Sequence, residues 1–505
     1  MARVGGTFIK CRHTSAGDEA TSSGDDRPAT QMLTGKTVLG VAWSVATRLG
    51  NRLIDFVTLL VLARILTPAD FGLVALATTL VAIVETVLEI ALIQVLTRLP
   101  SVDKSHLDTA FTLGLLRGLA LALVVLASAL PFAEIYQDER LIPLIAALAL
   151  GPIARGLYSP GMVKFIRAMS FREPFFIHTA GKLIAAGLAI AVLFAGGGYW
   201  AIATSTVATS AASTLISYVV APYKPGFSLV RLKDFTSFLG WFSLSQLVSA
   251  INWQIDRILL GYFVSKGDLG RYAVASDLAV LPTQSLIGPA MQPVMAAFAT
   301  IQDNPERLRS AYLKATRFTM MLAMPACIFI AVGADLIIGV LFDDQWQDAA
   351  PYLQWISLTT LFAAYVQPLY SVAVAVNKVR VLFSLNTIEL VLKIMALSVG
   401  FYYGGIFGVI AARGVVSVLM LAANALAARD LIGASLGAQT RNLLQPGFAC
   451  AVFAAAAIGA RYLLAPIQMS QLIELVTVGL AGGTAYLMAL LATGMRPNEL
   501  VRFTK

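Results

Sequence analysis

Charged residues inside long apolar runs are the side chains of this sequence best suited to bind a charged molecule. In the first run, Arg48, Arg52 and Asp55 follow at steps of four and three residues, so they share one face of a helix. A charge at membrane depth costs roughly 2.5–3.5 kcal/mol on insertion scales, and it is therefore expected to face a partner or a hydrated cavity. Two arginines beside one acid favour an anion, because the planar guanidinium binds phosphate oxygens through paired hydrogen bonds.

Other apolar runs contain further charged residues that could line the same cavity. Some share a helical face, whereas Asp256 and Arg257 are neighbours that point about 100° apart on a helix and cannot simply pair with each other. The candidates for lining a substrate cavity are Arg48, Arg52, Asp55, Glu85, Glu89, Asp256, Arg257, Asp277, Glu389, Lys393 and Arg413.

The alternative role of these charges is ion pairing between helices that only fixes the fold. Asp55, for example, could pair with Arg52 or serve transport directly. A buried carboxylate can also exchange a coupling ion such as H⁺ or Na⁺, and the candidates for this role are Asp55, Asp256 and Asp277. Transport without a coupling ion is equally compatible with the sequence, and no other cofactor and no metal site is predicted.

Composition places these charges in a polytopic, all-α membrane protein. Of 505 residues, 58% are hydrophobic and 13% are charged, whereas soluble proteins carry about 25% charged residues. The sequence contains no Gly-rich phosphate loop, catalytic triad or zinc motif, and its three cysteines are far apart. The chain is therefore predicted not to be an enzyme.

About fourteen apolar runs long enough for transmembrane helices follow residue 36. Of the 37 Lys and Arg residues, 25 fall in segments assigned to one side of the membrane and 5 in segments on the other. This bias is typical of the positive-inside rule and predicts that both termini are cytoplasmic. It also explains the net charge of +9 without nucleic acid.

The first run recurs in degenerate form 198 residues later. Without a gap, Trp43 aligns with Trp241, and the motif from Asp70 to Gly72 aligns with that from Asp268 to Gly270. Such a parallel repeat is common in secondary transporters. The predicted organisation is a flexible cytoplasmic tail, an N-terminal lobe of helices 1–6, a cytoplasmic linker, a C-terminal lobe of helices 7–12, and helices 13–14 with a short tail, at 1–36, 37–222, 223–234, 235–428 and 429–505.

Several segments resemble polysaccharide flippases of the Wzx type, in the multidrug/oligosaccharidyl-lipid/polysaccharide exporter superfamily. The first helix ends in LARILTPADFGLVALA, and similar matches are GMVKFIRAMSFREPF at 161–175 and LFDDQWQDAAPYLQW at 341–355. One departure is LFDD, where many relatives have a glycine after the phenylalanine. The resemblance implies twelve core helices in two lobes around a central cavity, two further helices, and alternating access.

The resemblance also implies a substrate and a location. A protein of this family moves an undecaprenyl-diphosphate-linked oligosaccharide from the cytoplasmic to the periplasmic leaflet of the bacterial inner membrane, for exopolysaccharide, capsule or O-antigen synthesis. Its expected partners are membrane lipids, a polysaccharide polymerase and glycosyltransferases. Two alternatives stay open: a cation-coupled multidrug antiporter of the same superfamily, and a non-transporting scaffold of a polysaccharide synthesis complex.

Overall fold

The computed structural model describes residues 26–87, 92–99, 101–168, 170, 172–236, 241–467 and 469–494. All regular secondary structure in these ranges is helical, which confirms the predicted all-α class. We call residues 26–236 the first half and residues 241–432 the second half.

The first half contains ten α-helices. The first helix begins ten residues before the predicted end of the polar tail, and Pro28 lies in its first turn, where proline is tolerated. The helices are α1 (Asp26–Ala63), α2 (Pro68–Val87), α3 (Leu92–Arg98), α4 (Lys104–Tyr136), α5 (Leu141–Leu148), α6 (Leu150–Gly156), α7 (Val163–Arg167), α8 (Arg172–Phe194), α9 (Trp200–Val220) and α10 (Leu232–Thr236).

The second half contains eight α-helices, and two more follow it. A π-helical turn, Thr283–Ile287, separates the second and third of them. The helices are α11 (Trp241–Phe263), α12 (Lys266–Pro282), α13 (Gly288–Thr300), α14 (Pro305–Val332), α15 (Ala334–Leu341), α16 (Ala349–Thr360), α17 (Ala363–Ala375), α18 (Val379–Ile432), α19 (Leu436–Leu464) and α20 (Gln471–Ala492).

The long element α18 is two antiparallel helices joined by a glycine turn. Gly404 and Gly405 have non-helical backbone angles, and the φ of +55° at Gly405 lies in a region that favours glycine. Beyond this turn the chain doubles back, so that a Cβ atom on Gly400 would lie 2.3 Å from the carbonyl oxygen of Gly408. The sequence predicts separate runs at 381–403 and 405–428, in agreement with this break.

Among the described residues, eight helices are long and apolar enough to cross a membrane, with α18 taken as one helix. A ninth span is possible in the bent pair Leu141–Gly156 and Pro160–Arg167, which turns by 50°. Pro143, Pro152 and Pro160 interrupt this segment. The count of fourteen spans therefore stays a prediction.

The two halves pack together most closely where α2 and α12 begin. A Cβ atom on Gly72 would lie 1.8 Å from the Lys266 carbonyl oxygen, and one on Gly270 would lie 1.8 Å from that of Pro68. Only glycine allows two backbones to approach this closely. The glycines that align in the sequence repeat thus contact each other's helix in the fold.

Both of these helices begin with the same local structure. The Thr67 hydroxyl donates a hydrogen bond to the Asp70 carboxylate (2.8 Å). In the second half, the Ser265 hydroxyl donates one to the Asp268 carboxylate (2.8 Å) and accepts one from the Asp268 backbone N–H (3.1 Å). Side chains of this kind satisfy the backbone groups that are unpaired at a helix start.

Candidate functional site

The two halves also meet at the middle of α1, around a pocket of about 310 Å³. One wall is α1, and the other is the end of α12 with the π-helical turn. The pocket is lined by three of the predicted residues, Arg52, Asp55 and Asp277, and by Gln284. Pro282 has no backbone N–H to donate, which accounts for the local widening of the helix here.

The two arginines of α1 face the π-helical turn and the start of α13. Arg52 donates a hydrogen bond to the Gln284 side-chain oxygen and so bridges the two halves. The Arg48 Nη1 atom lies 3.9 Å from the position that a Cβ atom would take on Gly288. Within the described part of the chain, neither arginine forms an ion pair with an acid.

Asp55 pairs with Lys182 of α8 rather than with Arg52. The same ammonium group lies 3.4 Å from the backbone carbonyl oxygen of Asn51 on α1. The cation beside Asp55 is thus Lys182, 127 residues away, and not the Arg52 that the sequence suggests. Arg52 therefore does not pair with Asp55, the nearest acid on the same helix.

The adjacent Asp256 and Arg257 of α11 have partners on different helices, as their positions predict. Arg257 pairs with Asp277 of α12, beside the inter-half pocket. Asp256 is buried and accepts hydrogen bonds from Arg413 of α18 and from the Tyr272 hydroxyl, each at 3.0 Å. The second pair lies inside the second half and away from the pocket.

Glu389 and Lys393 form an ion pair along α18, at 3.1 Å and a spacing of four residues. Lys393 also donates a hydrogen bond to the Asn252 carbonyl oxygen of α11 (2.8 Å), and the Asn252 side chain donates one to the Asn386 carbonyl oxygen (2.8 Å). These polar residues join α11 to α18. They do not line the inter-half pocket.

Glu85 of α2 pairs with Arg155 of α6, which also donates a hydrogen bond to the Ser210 hydroxyl (3.1 Å). The pair lines a second cavity, of about 540 Å³, within the first half. The sequence shows Arg155 only as an interruption of a weak apolar run and does not indicate its partner. The predicted site residue Glu89 lies outside the described residues.

Together these contacts separate the candidate cations into two groups. Each described candidate acid has a basic partner, whereas Arg48 and Arg52 have no acidic partner among the described residues. In isolation the two arginines would be costly, because an uncompensated charge at membrane depth needs water or a ligand. The five pairs are Asp55–Lys182, Glu85–Arg155, Asp256–Arg413, Asp277–Arg257 and Glu389–Lys393.

At the α2–α12 end, side chains of the second half cover the end of α1. The Trp346 indole N–H donates a hydrogen bond to the Ala63 carbonyl oxygen (3.0 Å), and the Gln345 amide donates one to that of Leu66 (3.3 Å). These carbonyls are left unpaired by the end of a helix. Trp346 is fully buried and packs edge-on against Phe71, with ring centroids 5.1 Å apart. This end of the contact is closed.

A family model described as "Polysaccharide biosynthesis protein" matches residues 61–351. The lipopolysaccharide biosynthesis protein WzxC of Escherichia coli (strain K12) is 24% identical over 74% of this chain and 77% of its own length. The succinoglycan biosynthesis transport protein ExoT of Rhizobium meliloti (strain 1021) is 26% identical over 65% of this chain and 67% of its own length.

Solved structures share the fold at low sequence identity. The lipid II flippase MurJ, in an inward closed conformation, superposes with a TM-score of 0.68 at 14% identity over 90% of this chain and 98% of MurJ. An inward-facing multidrug resistance transporter of the MATE family gives a TM-score of 0.54 at 15% identity, over 80% and 96%. The family and these relatives are not enzymes, in agreement with the prediction for this chain. The chain is a multi-pass α-helical membrane protein and belongs to the polysaccharide biosynthesis protein family.

Proposed function

We propose that this protein is a flippase that moves an undecaprenyl-diphosphate-linked oligosaccharide from the cytoplasmic to the periplasmic leaflet of the bacterial inner membrane. The observation that carries the proposal is the pair of arginines, Arg48 and Arg52, at the contact between the halves. The described acids nearby are already paired with other cations. The two guanidinium groups are therefore available to an anionic head group.

The chemistry of such a substrate fits these groups. A diphosphate that links a lipid to a sugar carries negative charge on both phosphates, and guanidinium groups bind phosphate through short, charge-assisted hydrogen bonds. Arg52 now donates to the neutral Gln284, an interaction that a phosphate oxygen would replace with a stronger one. Gln284 and Asp277 would then accept hydrogen bonds from sugar hydroxyls.

The closed α2–α12 end supports alternating access in this proposal. Since the charge bias assigns this end to the periplasm, the head group would enter from the cytoplasm while the lipid tail stays in the bilayer. Transfer would require the contacts of Gly72, Gly270 and Trp346 to open after the cytoplasmic end has closed. The two halves then correspond to the two lobes of the predicted repeat.

We further propose that the five ion pairs make a coupling cation unnecessary. A carboxylate that exchanges H⁺ or Na⁺ must become free during transport, whereas Asp55, Asp256 and Asp277 are each paired with an internal cation. The same pairing disfavours the multidrug antiporter, whose cationic substrate requires an available acid. Consumption of the flipped lipid by a polymerase would then drive transport.

The test is the double variant Arg48→Ala/Arg52→Ala in a strain that depends on this protein for polysaccharide export. Charge-assisted hydrogen bonds contribute about 1.5–3 kcal/mol each, so the loss of both should reduce export at least about a hundredfold. The lipid-linked oligosaccharide should accumulate in the cytoplasmic leaflet. Normal export by a correctly inserted double variant would refute the anion site.

The matched control is Arg48→Lys/Arg52→Lys, which keeps both charges but loses the paired geometry of guanidinium. Partial export by this variant, between that of the wild type and that of the alanine variant, would support direct contact with phosphate. Export equal to that of the alanine variant would indicate that charge alone is insufficient.

A further inference from the structure

The second cavity, of about 540 Å³, lies inside the first half and not between the halves. Its walls come from α2, α3, α4, α6, α7, α8 and α9. Its volume is within the range of about 300–1,000 Å³ that is typical of small-molecule ligand sites. None of its lining residues belongs to the inter-half pocket.

The polar side chains of this cavity are arranged to form hydrogen bonds with a ligand. The Glu85–Arg155 pair offers both acceptors and donors, and Arg155 is fixed further by Ser210. His178 and Tyr158 also line the cavity, with rings parallel to within 4° and centroids 6.3 Å apart. In the part of the chain that the structure describes, the His178 ring nitrogens and the Tyr158 hydroxyl have no hydrogen-bond partner.

A sugar residue matches this combination of polar groups and aromatic rings better than a lipid tail does. Hydroxyl groups can donate to Glu85 and accept from Arg155, while the aromatic faces of Tyr158 and His178 provide apolar surface for the C–H groups of a pyranose ring. Arg117 also lines the cavity and donates a hydrogen bond to the Glu85 carbonyl oxygen (3.4 Å), so two guanidinium groups and one carboxylate offer donors and acceptors to a hydroxylated ligand.

The cavity also lies next to the inter-half pocket. His178 and Lys182 are four residues apart on α8 and therefore lie on the same face, with a rise of about 6 Å along the helix axis. Lys182 pairs with Asp55, which lines the inter-half pocket. One turn of α8 thus connects the proposed diphosphate site to the second cavity.

We propose that the second cavity is a subsite for a glycosyl residue close to the diphosphate, an inference that rests on the proposed function. His178 and Tyr158 contact the ring of this residue, and Glu85 with Arg155 binds its hydroxyls. The subsite makes the protein selective for glycan-bearing lipid diphosphates over the bare lipid diphosphate.

The test compares binding of two kinds of probe to the purified full-length protein. One probe is farnesyl diphosphate, and the others are farnesyl diphosphates that carry a single glucosyl or galactosyl residue. The wild type should bind at least one glycosylated probe about tenfold more tightly than farnesyl diphosphate. In His178→Ala this preference should fall to about twofold or less, with an unchanged affinity for farnesyl diphosphate.

The matched control is Leu183→Ala, a lipid-exposed position on the same helix that lines neither pocket. It should keep the wild-type preference. Equal wild-type affinity for bare and glycosylated probes, or an equal loss of both in His178→Ala, would overturn the subsite while leaving the diphosphate site intact. Unchanged binding of every probe by Arg48→Ala/Arg52→Ala would instead overturn the proposed function on which the subsite rests.

Discussion

The contact between the two halves differs between its α2–α12 end and its middle. At the end, two equivalent contacts of the repeat bring backbone atoms together, with Gly72 against Lys266 and Gly270 against Pro68. In the middle, Arg48 and Arg52 face Gly288 and Gln284 without symmetry. Backbone packing is satisfied within the protein, whereas neither arginine has an acidic partner in the part of the chain that the structure describes.

This difference separates the part of the contact that builds the fold from the part that is available to a ligand. At the end, Trp346 is buried, packs against Phe71 and donates a hydrogen bond to the last carbonyl oxygen of α1. The middle has a pocket of about 310 Å³ and two arginines that have no acidic partner among the described residues. Substitutions at the symmetric end, at a fully paired charge and at a single hydrogen bond should affect the protein in that decreasing order.

The largest effect is expected from Gly72→Ala/Gly270→Ala. Each new Cβ atom would lie 1.8 Å from a backbone carbonyl oxygen, a clash that no side-chain movement relieves. The halves would be unable to close at this end, and polysaccharide export should be lost. The matched control is Gly187→Ala, because a Cβ atom there meets no atom within 4 Å. Wild-type export by the double variant would contradict the close backbone contact.

A smaller effect, on stability, is expected from Arg413→Leu. The substitution leaves the Asp256 carboxylate buried without its cation, which typically costs about 3–5 kcal/mol. The melting temperature of the purified protein should fall clearly, whereas Arg48→Ala should leave it unchanged because Arg48 has no acidic partner among the described residues.

The double variant Asp256→Leu/Arg413→Leu decides whether this ion pair is only structural. With both charges removed, most of the lost stability should return, and export should persist. A double variant with recovered melting temperature but no export would show that the pair takes part in transport, and would weaken the division between paired and available charges.

The smallest effect is expected from Trp346→Phe, which keeps a ring against Phe71 but removes the hydrogen bond to the Ala63 carbonyl oxygen. One such bond contributes about 0.5–1.5 kcal/mol, so opening of this end should become about two- to tenfold more frequent. The measurement is the labelling rate of Leu66→Cys by a membrane-impermeant thiol reagent. Leu66 is buried in the closed end.

The control for that experiment is Ile65→Cys, an exposed neighbour that should be labelled equally fast with Trp346 or Phe at position 346. Both cysteine variants are made in a background without the native cysteines. An unchanged labelling rate at position 66 would show that the indole hydrogen bond does not hold the end closed.

Local features of the fold could be predicted from the sequence because neighbouring residues determine them. Pro282 and Pro289 indicate a loosened helix, and a π-helical turn forms between them. The spacing of Glu389 and Lys393 places them on one helical face, where they pair. The sequence motifs also indicate the protein family, and the family match confirms it.

The sequence by itself determined the all-helical membrane class, the breaks in the helices and the set of charges that require a partner. Only the tertiary structure decided which charges are compensated, because Asp55 and Lys182 are 127 residues apart and Asp256 and Arg413 are 157 apart. The repeat aligns Gly72 with Gly270, yet alignment does not show that they meet. Pairing depends on which helix faces come within hydrogen-bond distance, and helix packing alone sets that distance.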